Sequence, residues 1–219
     1  MKTPYQYRAQ AREVLQDIWD DAISVYFAIF VIASIISVPS VIGDLLSLGK
    51  YLSFGLAGGT TLLSLLIIPL QPAYYIALLQ KARNSEETLL RSTVQQFTQN
   101  YSRLLLSGIL ISIIVSVLSI FTLLIGGIIF SYAYRMVPYL ISDYPDLSAT
   151  EAMKISREMM RGYKWKLFLL DFSFIGWWIL TFITLGLGVF LLVPYTQTAT
   201  AVFYEDLKAK TIVEEEETV

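Results

Sequence analysis

Long apolar runs alternate with short polar segments along the whole chain. The runs cover residues 22–42, 56–80, 104–142 and 167–204. A helix needs about 20 apolar residues to cross the roughly 30 Å hydrocarbon layer of a membrane. The last two runs are nearly twice that long, so we expect each to fold back on itself, with turns at Gly126-Gly127 and at residues 184–188. The pattern predicts six spans near residues 22–42, 57–80, 104–122, 126–142, 167–183 and 186–204.

An amphipathic helix is predicted directly before each pair of spans. Thr3-Pro4-Tyr5-Gln6 and Ser148 with Glu151 have the residues of a capping box, and Ser85 with Glu86-Glu87 is predicted to begin the middle helix. Apolar residues then follow at helical spacing. They are Tyr7, Ala11, Val14, Ile18 and Ala22 in the first helix, Leu90, Val94, Phe97, Tyr101 and Leu104 in the second, and Ala152, Ile155, Met159 and Tyr163 in the third.

The same order of elements recurs three times. It predicts an all-α membrane protein with one domain, residues 1–210, made of pseudo-repeats 3–80, 85–142 and 148–207. Each pseudo-repeat is an amphipathic helix followed by a hairpin of two spans. In each returning span a tyrosine, suited to a membrane interface, follows a proline. The pairs are Pro72 and Tyr74, Pro138 and Tyr139, and Pro194 and Tyr195. The acidic segment 211–219 is predicted to be a disordered tail.

The distribution of basic residues predicts the topology. With the amino terminus in the cytoplasm, fourteen Lys and Arg residues fall in cytoplasmic segments, and Lys50 alone falls in an external loop. Short cytoplasmic loops are enriched in Lys and Arg. Both termini and all three amphipathic helices are therefore predicted to lie on the cytoplasmic side of the membrane.

Composition narrows the chemistry. The chain of 219 residues is 55% hydrophobic and 16% charged, whereas soluble domains are about 45–50% apolar and 25% charged. It contains no Cys and no His, which excludes disulfides, thiol nucleophiles and acid–base catalysis by histidine. Neither a phosphate-binding loop nor a G-x-S-x-G motif is present. We expect no enzymatic activity, no cofactor, no metal site and no nucleic-acid partner.

Polar residues inside the predicted spans form a candidate polar site. Arg135 and Asp171 are predicted at similar depth below the same membrane interface, where they could pair and form part of an ion or proton path. Alternatively, Arg135 reaches the lipid phosphates, and Asp171 caps a helix or forms hydrogen bonds within the cytoplasmic vestibule. Thr196, Gln197 and Thr200 make the last span polar. They either line a cavity or satisfy carbonyl groups of their own helix.

Basic residues form a stripe on the third amphipathic helix, which is predicted to run from residue 148 to residue 166. Lys154, Arg157, Arg161 and Lys164 follow one another at spacings of 3, 4 and 3, and Lys166 extends the stripe. Such a helix is typical of contact with anionic lipid headgroups. The same residues also fit a topology signal without specific contact. Small residues in the third span permit close helix packing, either within the chain or with a second copy or another membrane protein.

Motifs in the third unit resemble a known family. They are Gly162-Tyr-Lys-Trp165, Thr184-Leu-Gly186-Leu-Gly188, Val193-Pro194-Tyr195 and Phe203-Tyr204-Glu-Asp206-Leu207. In these motifs the chain resembles an uncharacterised bacterial membrane family, domain of unknown function 975. The resemblance implies a multi-pass protein of the bacterial plasma membrane and supplies no active site. More distantly, the chain resembles the membrane domain of some glycerophosphodiester phosphodiesterases, whose His-dependent catalysis cannot exist here.

Two functional hypotheses follow. The first is a non-enzymatic membrane protein whose cytoplasmic amphipathic helices bind lipid headgroups or a partner, in envelope maintenance, assembly or protection against membrane-active peptides. The second is a small transporter, channel or lipid-translocating protein with a polar path near Arg135, Asp171 and residues 196–200. A shared cavity of those polar side chains would favour the second hypothesis.

Overall fold

The computed structural model describes residues 1–45, 50–121 and 125–217, and in this part of the chain all regular structure is helical. The described helices are α1 (Pro4–Leu15), α2 (Trp19–Leu45), α3 (Lys50–Ile67), α4 (Leu70–Ala82), α5 (Leu89–Gln99), α6 (Tyr101–Phe121), α7 (Ile125–Ala133), α8 (Val137–Asp143), α9 (Ala149–Met159), α10 (Lys164–Phe172), α11 (Ile175–Ile183) and α12 (Val189–Glu217). The predicted all-α class is confirmed. The division into three repeats stays a prediction.

Several helices are long and apolar enough to cross a membrane, which indicates a membrane protein. They are Trp19–Ile42, Phe54–Ala82 and Tyr101–Ile120. A fourth crossing is present if α10 and α11, which meet at a bend of 41°, form one span. The predicted number of six is not confirmed. The predicted fourth span is interrupted because α7 ends after nine residues, and α12 is rich in polar residues after Pro194.

Six helical segments pack into a unit that we call the body. Its inner helices are α4, α8 and the part of α12 after Pro194. Around them, α1 packs on α12, α5 on α4 and α9 on α8. Large side chains fill the centre, where the rings of Tyr139 and Tyr204 stack with centroids 5.1 Å apart. The charged residues of α1 and α9 that are exposed, such as Arg12, Glu13 and Lys154, lie on the outer surface of the body.

All the remaining helices except α10, which leads into α11, form what we call the apolar hairpins: α2 with α3, α6 with α7, and α11 with the first turns of α12. Their large apolar side chains are exposed, with Ile35 at 64% and Leu62 at 67% of their full accessible area. Such a continuous apolar exterior is costly in water and favourable in lipid. The body and the hairpins therefore differ in the solvent that suits them.

The tyrosines that follow the prolines are core residues. Tyr74, Tyr139 and Tyr195 are all buried. The Tyr74 hydroxyl donates to the Ala22 carbonyl at 3.0 Å, and the Tyr195 hydroxyl donates to the Arg8 carbonyl at 3.1 Å. Their rings pack against neighbouring helices, as Tyr74 does on Tyr26 of α2 with centroids 5.8 Å apart, so they are not exposed to lipid. A position at the depth of the membrane interface stays a prediction. These two hydroxyls are satisfied by backbone oxygen instead of headgroups.

Two of the three predicted helix starts are confirmed. Thr3 and Ser148 each form a complete capping box with the residue three positions later. The middle helix begins later than predicted, at Leu89 with Thr88 as its N-cap. Ser85 instead helps to end α4: its N–H donates to the Gln80 carbonyl at 3.1 Å, across Asn84 in the left-handed conformation.

Two other features differ from the sequence predictions. Gly126 and Gly127 lie inside α7 and do not form the turn. Gly127 is needed where α7 meets α6, since an added Cβ would lie 3.2 Å from the Val115 carbonyl oxygen. The acidic segment predicted as a disordered tail continues α12 as far as Glu217, because glutamate is a good helix former and the helix is already nucleated. Residues 218–219, the rest of that tail, lie outside the described residues. The turn at residues 184–188 is confirmed.

Candidate functional site

A cluster of charged residues joins the ends of α4 and α8 to the interior of α12. Arg83, after α4, binds both carboxylate oxygens of Asp143 at the end of α8, at 2.6 and 2.8 Å. Arg83 Nε also donates to Glu205 of α12 at 2.7 Å. Lys208 and the Tyr204 hydroxyl complete the cluster, with bonds of 2.6 and 2.8 Å to Asp143 Oδ2. The arrangement holds the three inner helices around one carboxylate.

The electrostatics of this cluster follow from the position of Asp143. Its side chain is only 5% exposed. Burial raises the pKa of Asp143, but hydrogen bonds from Arg83, Lys208 and Tyr204 outweigh burial and hold the pKa below its usual range. The same carboxylate raises the pKa of Arg83. Asp143 therefore stays ionised, and the cluster stabilises the body.

Sequence reasoning did not single out this cluster. From the sequence, Arg83 and Lys208 served only as two of the basic residues that predict the cytoplasmic side of the membrane. A signal was available: Arg83 and Glu205 each lie eleven residues after the proline of their returning helix, Pro72 and Pro194. Opposite charges at the same position of two similar helices are candidates for a pair.

The predicted pair of Arg135 and Asp171 does not form. Asp171 accepts a hydrogen bond from the Tyr132 hydroxyl at 2.9 Å. The ion pairs within 4.0 Å in the described part of the chain involve only Arg83 or Lys208 as the cation. The pairing prediction is wrong because Tyr132, one turn before Arg135, occupies the position beside the carboxylate. Asp171 thus hydrogen-bonds to a neighbouring helix, and its alternative interpretation, capping or hydrogen bonding within a cytoplasmic vestibule, stays a prediction.

Thr196, Gln197 and Thr200 are buried in the body, together with Thr198. The hydroxyls of Thr196 and Thr200 donate to the carbonyls of Val193 and Thr196 in their own helix, at 3.1 and 2.9 Å. This hydrogen bonding within one helix satisfies the threonines without a water-filled cavity. Asp171 therefore bonds to α7 and these threonines bond within α12, and these contacts do not link them into a continuous path.

The basic stripe is divided between two helices. Lys154 and Arg157 lie on α9, which ends at Met159, and a turn with Gly162 in the left-handed conformation follows. Lys164 and Lys166 then begin α10, and Arg161 lies in the turn between. The single helix predicted for residues 148–166 is therefore wrong, because glycine at position 162 permits a turn that the apolar periodicity does not reveal.

All five residues of the predicted stripe are placed where solvent or lipid can reach them, and four of them are exposed. Lys164, the half-buried one, has its ammonium group 6.0 Å from the centre of the Phe130 ring. Lys166 lies 5.2 Å from the ring of Tyr163, and Trp165 between the two lysines is 65% exposed. A pair of lysines around an exposed tryptophan is typical of the boundary between water and lipid.

A groove beside Lys154 and Arg157 combines charge with apolar surface. It has a volume of about 260 Å³ and lies between α6 and α9. Lys154 and Arg157 line one side, and Leu110 and Ile114 of α6 line the other. Those two apolar residues belong to a candidate membrane span. The groove therefore joins a cationic surface to a surface suited to acyl chains.

The amphipathic helix α5 exposes apolar residues and buries polar ones. Its apolar residues Leu90 and Val94 are exposed, whereas the polar Ser92, Thr93 and Gln96 face the body and are buried. The Thr93 hydroxyl donates to the Leu89 carbonyl at 2.8 Å, and the Gln96 side chain accepts from Asn100 at 2.7 Å. The sequence predicts Leu90 and Val94 on an apolar face, and the structure turns that face outward, where only a non-aqueous contact would bury it.

Another cleft lies on the body, between α8, α9 and the end of α12. Its volume of about 560 Å³ is within the range of small-molecule sites. Leu140, Ile155 and Met159 supply apolar walls, and Glu158 with Arg161 supplies charges of opposite sign. Arg161 is therefore separated from Lys154 and Arg157, which line the groove beside α6.

The fold and these surfaces define an all-helical protein with three or four candidate membrane spans and a polar body. Residues 112–211 match the model of a family described as "Protein of unknown function (DUF975)". The resemblance to this family that the motifs of the third unit indicate is thereby confirmed. No match was found among curated proteins or among solved structures.

Proposed function

We propose that this protein is a non-enzymatic protein of the bacterial plasma membrane that binds anionic phospholipids where its body meets its apolar hairpins. In this proposal both termini and the body lie in the cytoplasm. The hairpins anchor the body, and the bound lipids hold it against the inner leaflet. Such a protein would serve envelope maintenance, assembly or protection against membrane-active peptides.

The groove between α6 and α9 carries the proposal. A phospholipid needs a cationic site for its phosphate and an adjoining apolar surface for its acyl chains. Lys154 and Arg157 supply the first, and Leu110 with Ile114 supplies the second. Each basic residue near an anionic membrane contributes about 1 kcal/mol of attraction, and arginine binds phosphate through two parallel hydrogen bonds.

Two further surfaces at the same boundary support lipid contact. The exposed Leu90 and Val94 of α5 have Arg91 between them in sequence, which suits a helix that lies in the headgroup region. Lys164, Trp165 and Lys166 begin α10 in the same way, with a tryptophan between two cations. Contacts on three helices would fix the orientation of the body relative to the membrane surface.

The test compares an anionic with a zwitterionic phospholipid. The full chain is reconstituted with trace spin-labelled phosphatidylglycerol or phosphatidylcholine, and the immobilised fraction of each lipid is measured by electron paramagnetic resonance. We expect a preference for phosphatidylglycerol that the double variant K154Q/R157Q reduces by up to about 30-fold, as two charges at about 1 kcal/mol each imply. Salt should reduce the preference of the unmodified chain.

The matched control is K2Q/K210Q, which removes two cations near the end of α12 that lies away from the hairpins. The Lys2 backbone N–H bonds to Asp206 at that end. This control should keep the lipid preference. Equal immobilisation of both lipids by the unmodified chain at low salt would overturn the proposal, as would an equal loss in the control.

A further inference from the structure

The α11–α12 hairpin projects only a short distance from the body. Helix α11 has nine residues and is therefore about 13 Å long. On the other side of the turn, Tyr195 already contacts the body through Arg8. One leaflet contributes about 15 Å of hydrocarbon, half of the total thickness. The projecting part of this hairpin thus matches one leaflet.

The rest of α12 is covered by α1, so it cannot supply the missing length. Tyr7 of α1 packs on the Phe203 ring with centroids 5.3 Å apart and donates to Asp206 at 2.5 Å. The opposite side of α1 exposes Arg12 and Glu13. If α12 crossed the bilayer from Leu187 to Asp206, these two charges would lie in hydrocarbon, where each costs about 2.5 kcal/mol or more.

The tip of the hairpin has the surface of a lipid contact. Phe182, Leu185 and Leu187 are 85%, 96% and 70% exposed, the largest values among neighbouring residues. Leu185 has φ of +52°, a conformation in which glycine or asparagine is favoured. A turn in water would gain from a polar residue at this position. A leucine there fits hydrocarbon.

The backbone N–H groups of the turn are also hydrogen-bonded in a way that suits an apolar solvent. Each N–H from residue 184 to residue 190 donates a hydrogen bond inside the hairpin. The Gly186 N–H reaches the Thr181 carbonyl at 2.8 Å, and the Thr184 hydroxyl accepts from the Gly188 N–H at 3.0 Å. Hydrocarbon offers no hydrogen-bond partners, so a turn immersed in it must satisfy its N–H groups internally.

A cationic residue, Arg8, lies at the base of the same hairpin. Arg8 Nη1 donates to the Ser173 carbonyl at 2.9 Å, where α10 ends, and the Arg8 guanidinium lies 5.3 Å from the Phe174 ring. Phosphate groups on one side of a bilayer would meet this cation while acyl chains surround the tip, so the charge and the apolar surface fit the same leaflet.

We propose that the α11–α12 hairpin is a re-entrant element whose tip ends among the acyl chains of the leaflet that faces the body. The hairpin enters and leaves on the same side, and both termini stay on that side. The first hairpin differs, because α3 has 18 residues and is about 27 Å long. It is long enough to reach the opposite surface. The inference does not depend on which lipid headgroup the groove prefers.

The absence of cysteine in the chain permits a direct test. Single variants L185C, L187C, K50C and Q16C are expressed in intact cells and treated with a membrane-impermeant maleimide, before and after permeabilisation. We expect K50C, at the start of α3, to react from outside. Q16C, in the exposed end of α1, should react only after permeabilisation. L185C and L187C should react from neither side, and should react fully in denaturing detergent.

Depth is then measured on the same cysteines. A nitroxide at position 185 should be at least several-fold more accessible to oxygen, which dissolves in hydrocarbon, than to a water-soluble nickel complex. Labelling of L185C from outside would show that the hairpin crosses the membrane and would overturn the inference. Labelling from the body's side, or greater accessibility to nickel than to oxygen, would show a tip in water and would overturn it equally. A variant that unfolds is recognised by size-exclusion chromatography, and F182C, on the same tip, then replaces it.

Discussion

The body and the apolar hairpins differ in the hydrogen-bond partners of their polar residues. In the body, charged groups connect different helices, since Arg83 connects α4 to α8 and α12. The Ser156 hydroxyl of α9 likewise leaves its own helix and donates to the Ala133 carbonyl of the adjoining α7 at 2.8 Å. In the hairpins, serine hydroxyls such as that of Ser37, which donates to the Ser34 carbonyl at 2.8 Å, bond within their own helix.

The difference follows from the surroundings that each region faces. The body exposes charged residues such as Arg12 and Glu13 and can bury polar pairs inside. A hairpin in lipid has no aqueous surface, so each polar group must find a partner nearby in its own helix. Charged groups that connect distant helices, as around Asp143, therefore distinguish the body from the hairpins.

The largest expected effect is from a charge at the hairpin tip. L185K should raise the apparent free energy of membrane insertion by about 3 kcal/mol, since a lysine in mid-bilayer hydrocarbon costs that much. Q16K on the exposed end of α1 should change it by less than about 0.5 kcal/mol. Insertion is measured as the protease-protected fraction after translation with membranes. A tip in water would give equal values for the two variants.

The next largest effect is from the charge cluster of the body. D143N should lower the free energy of unfolding by about 2 kcal/mol, because Arg83 and Lys208 lose the carboxylate that they share. The control D146N changes an exposed aspartate three residues later and should have almost no effect. Thermal unfolding in mild detergent, followed by circular dichroism, measures both. A similar loss in the two variants would mean that the cluster does not stabilise the body.

The same cluster predicts a dependence on pH. The pKa of Asp143 is lower in the folded protein than in the unfolded chain. As pH falls, the unfolded chain therefore binds the proton first, and the stabilisation by this carboxylate is complete above its ordinary pKa of 3.8 and is lost as pH falls through the folded pKa. Below about pH 4, D143N should lose less stability than the unmodified chain. Parallel acid titrations of the melting temperature would contradict this assignment.

The smallest expected effect compares two serines. S156A should lower the free energy of unfolding by about 1 kcal/mol, because it removes a buried hydrogen bond between α9 and α7. S37A removes only a bond inside α2 and should have an effect near zero. Chemical or thermal unfolding of both variants in the same detergent measures the difference. Equal effects would remove the distinction between the two regions.

The features that could be predicted from the sequence are those that depend on nearby residues or on the spacing of apolar residues. The apolar runs predicted the all-α class, the capping boxes located the starts of α1 and α9, and glycines located the turn at residues 184–188. Each depends on neighbours within a few residues, since caps, turns and helical periodicity act over that distance. The family resemblance also depended on short motifs, between Gly162 and Leu207, and the match over residues 112–211 contains them.

Which faces meet depends on the tertiary structure. Asp171 pairs with Tyr132 instead of Arg135, Thr88 instead of Ser85 is the residue that precedes α5, and Leu90 faces outward. The Asp143 cluster joins residues from positions 83 to 208. Helical periodicity restricts a side chain to a face but does not rotate that face toward a neighbour, because rotation is set by packing between helices that are distant in sequence. The body could therefore be recognised only after α1, α5 and α9 were seen to cover α12, α4 and α8.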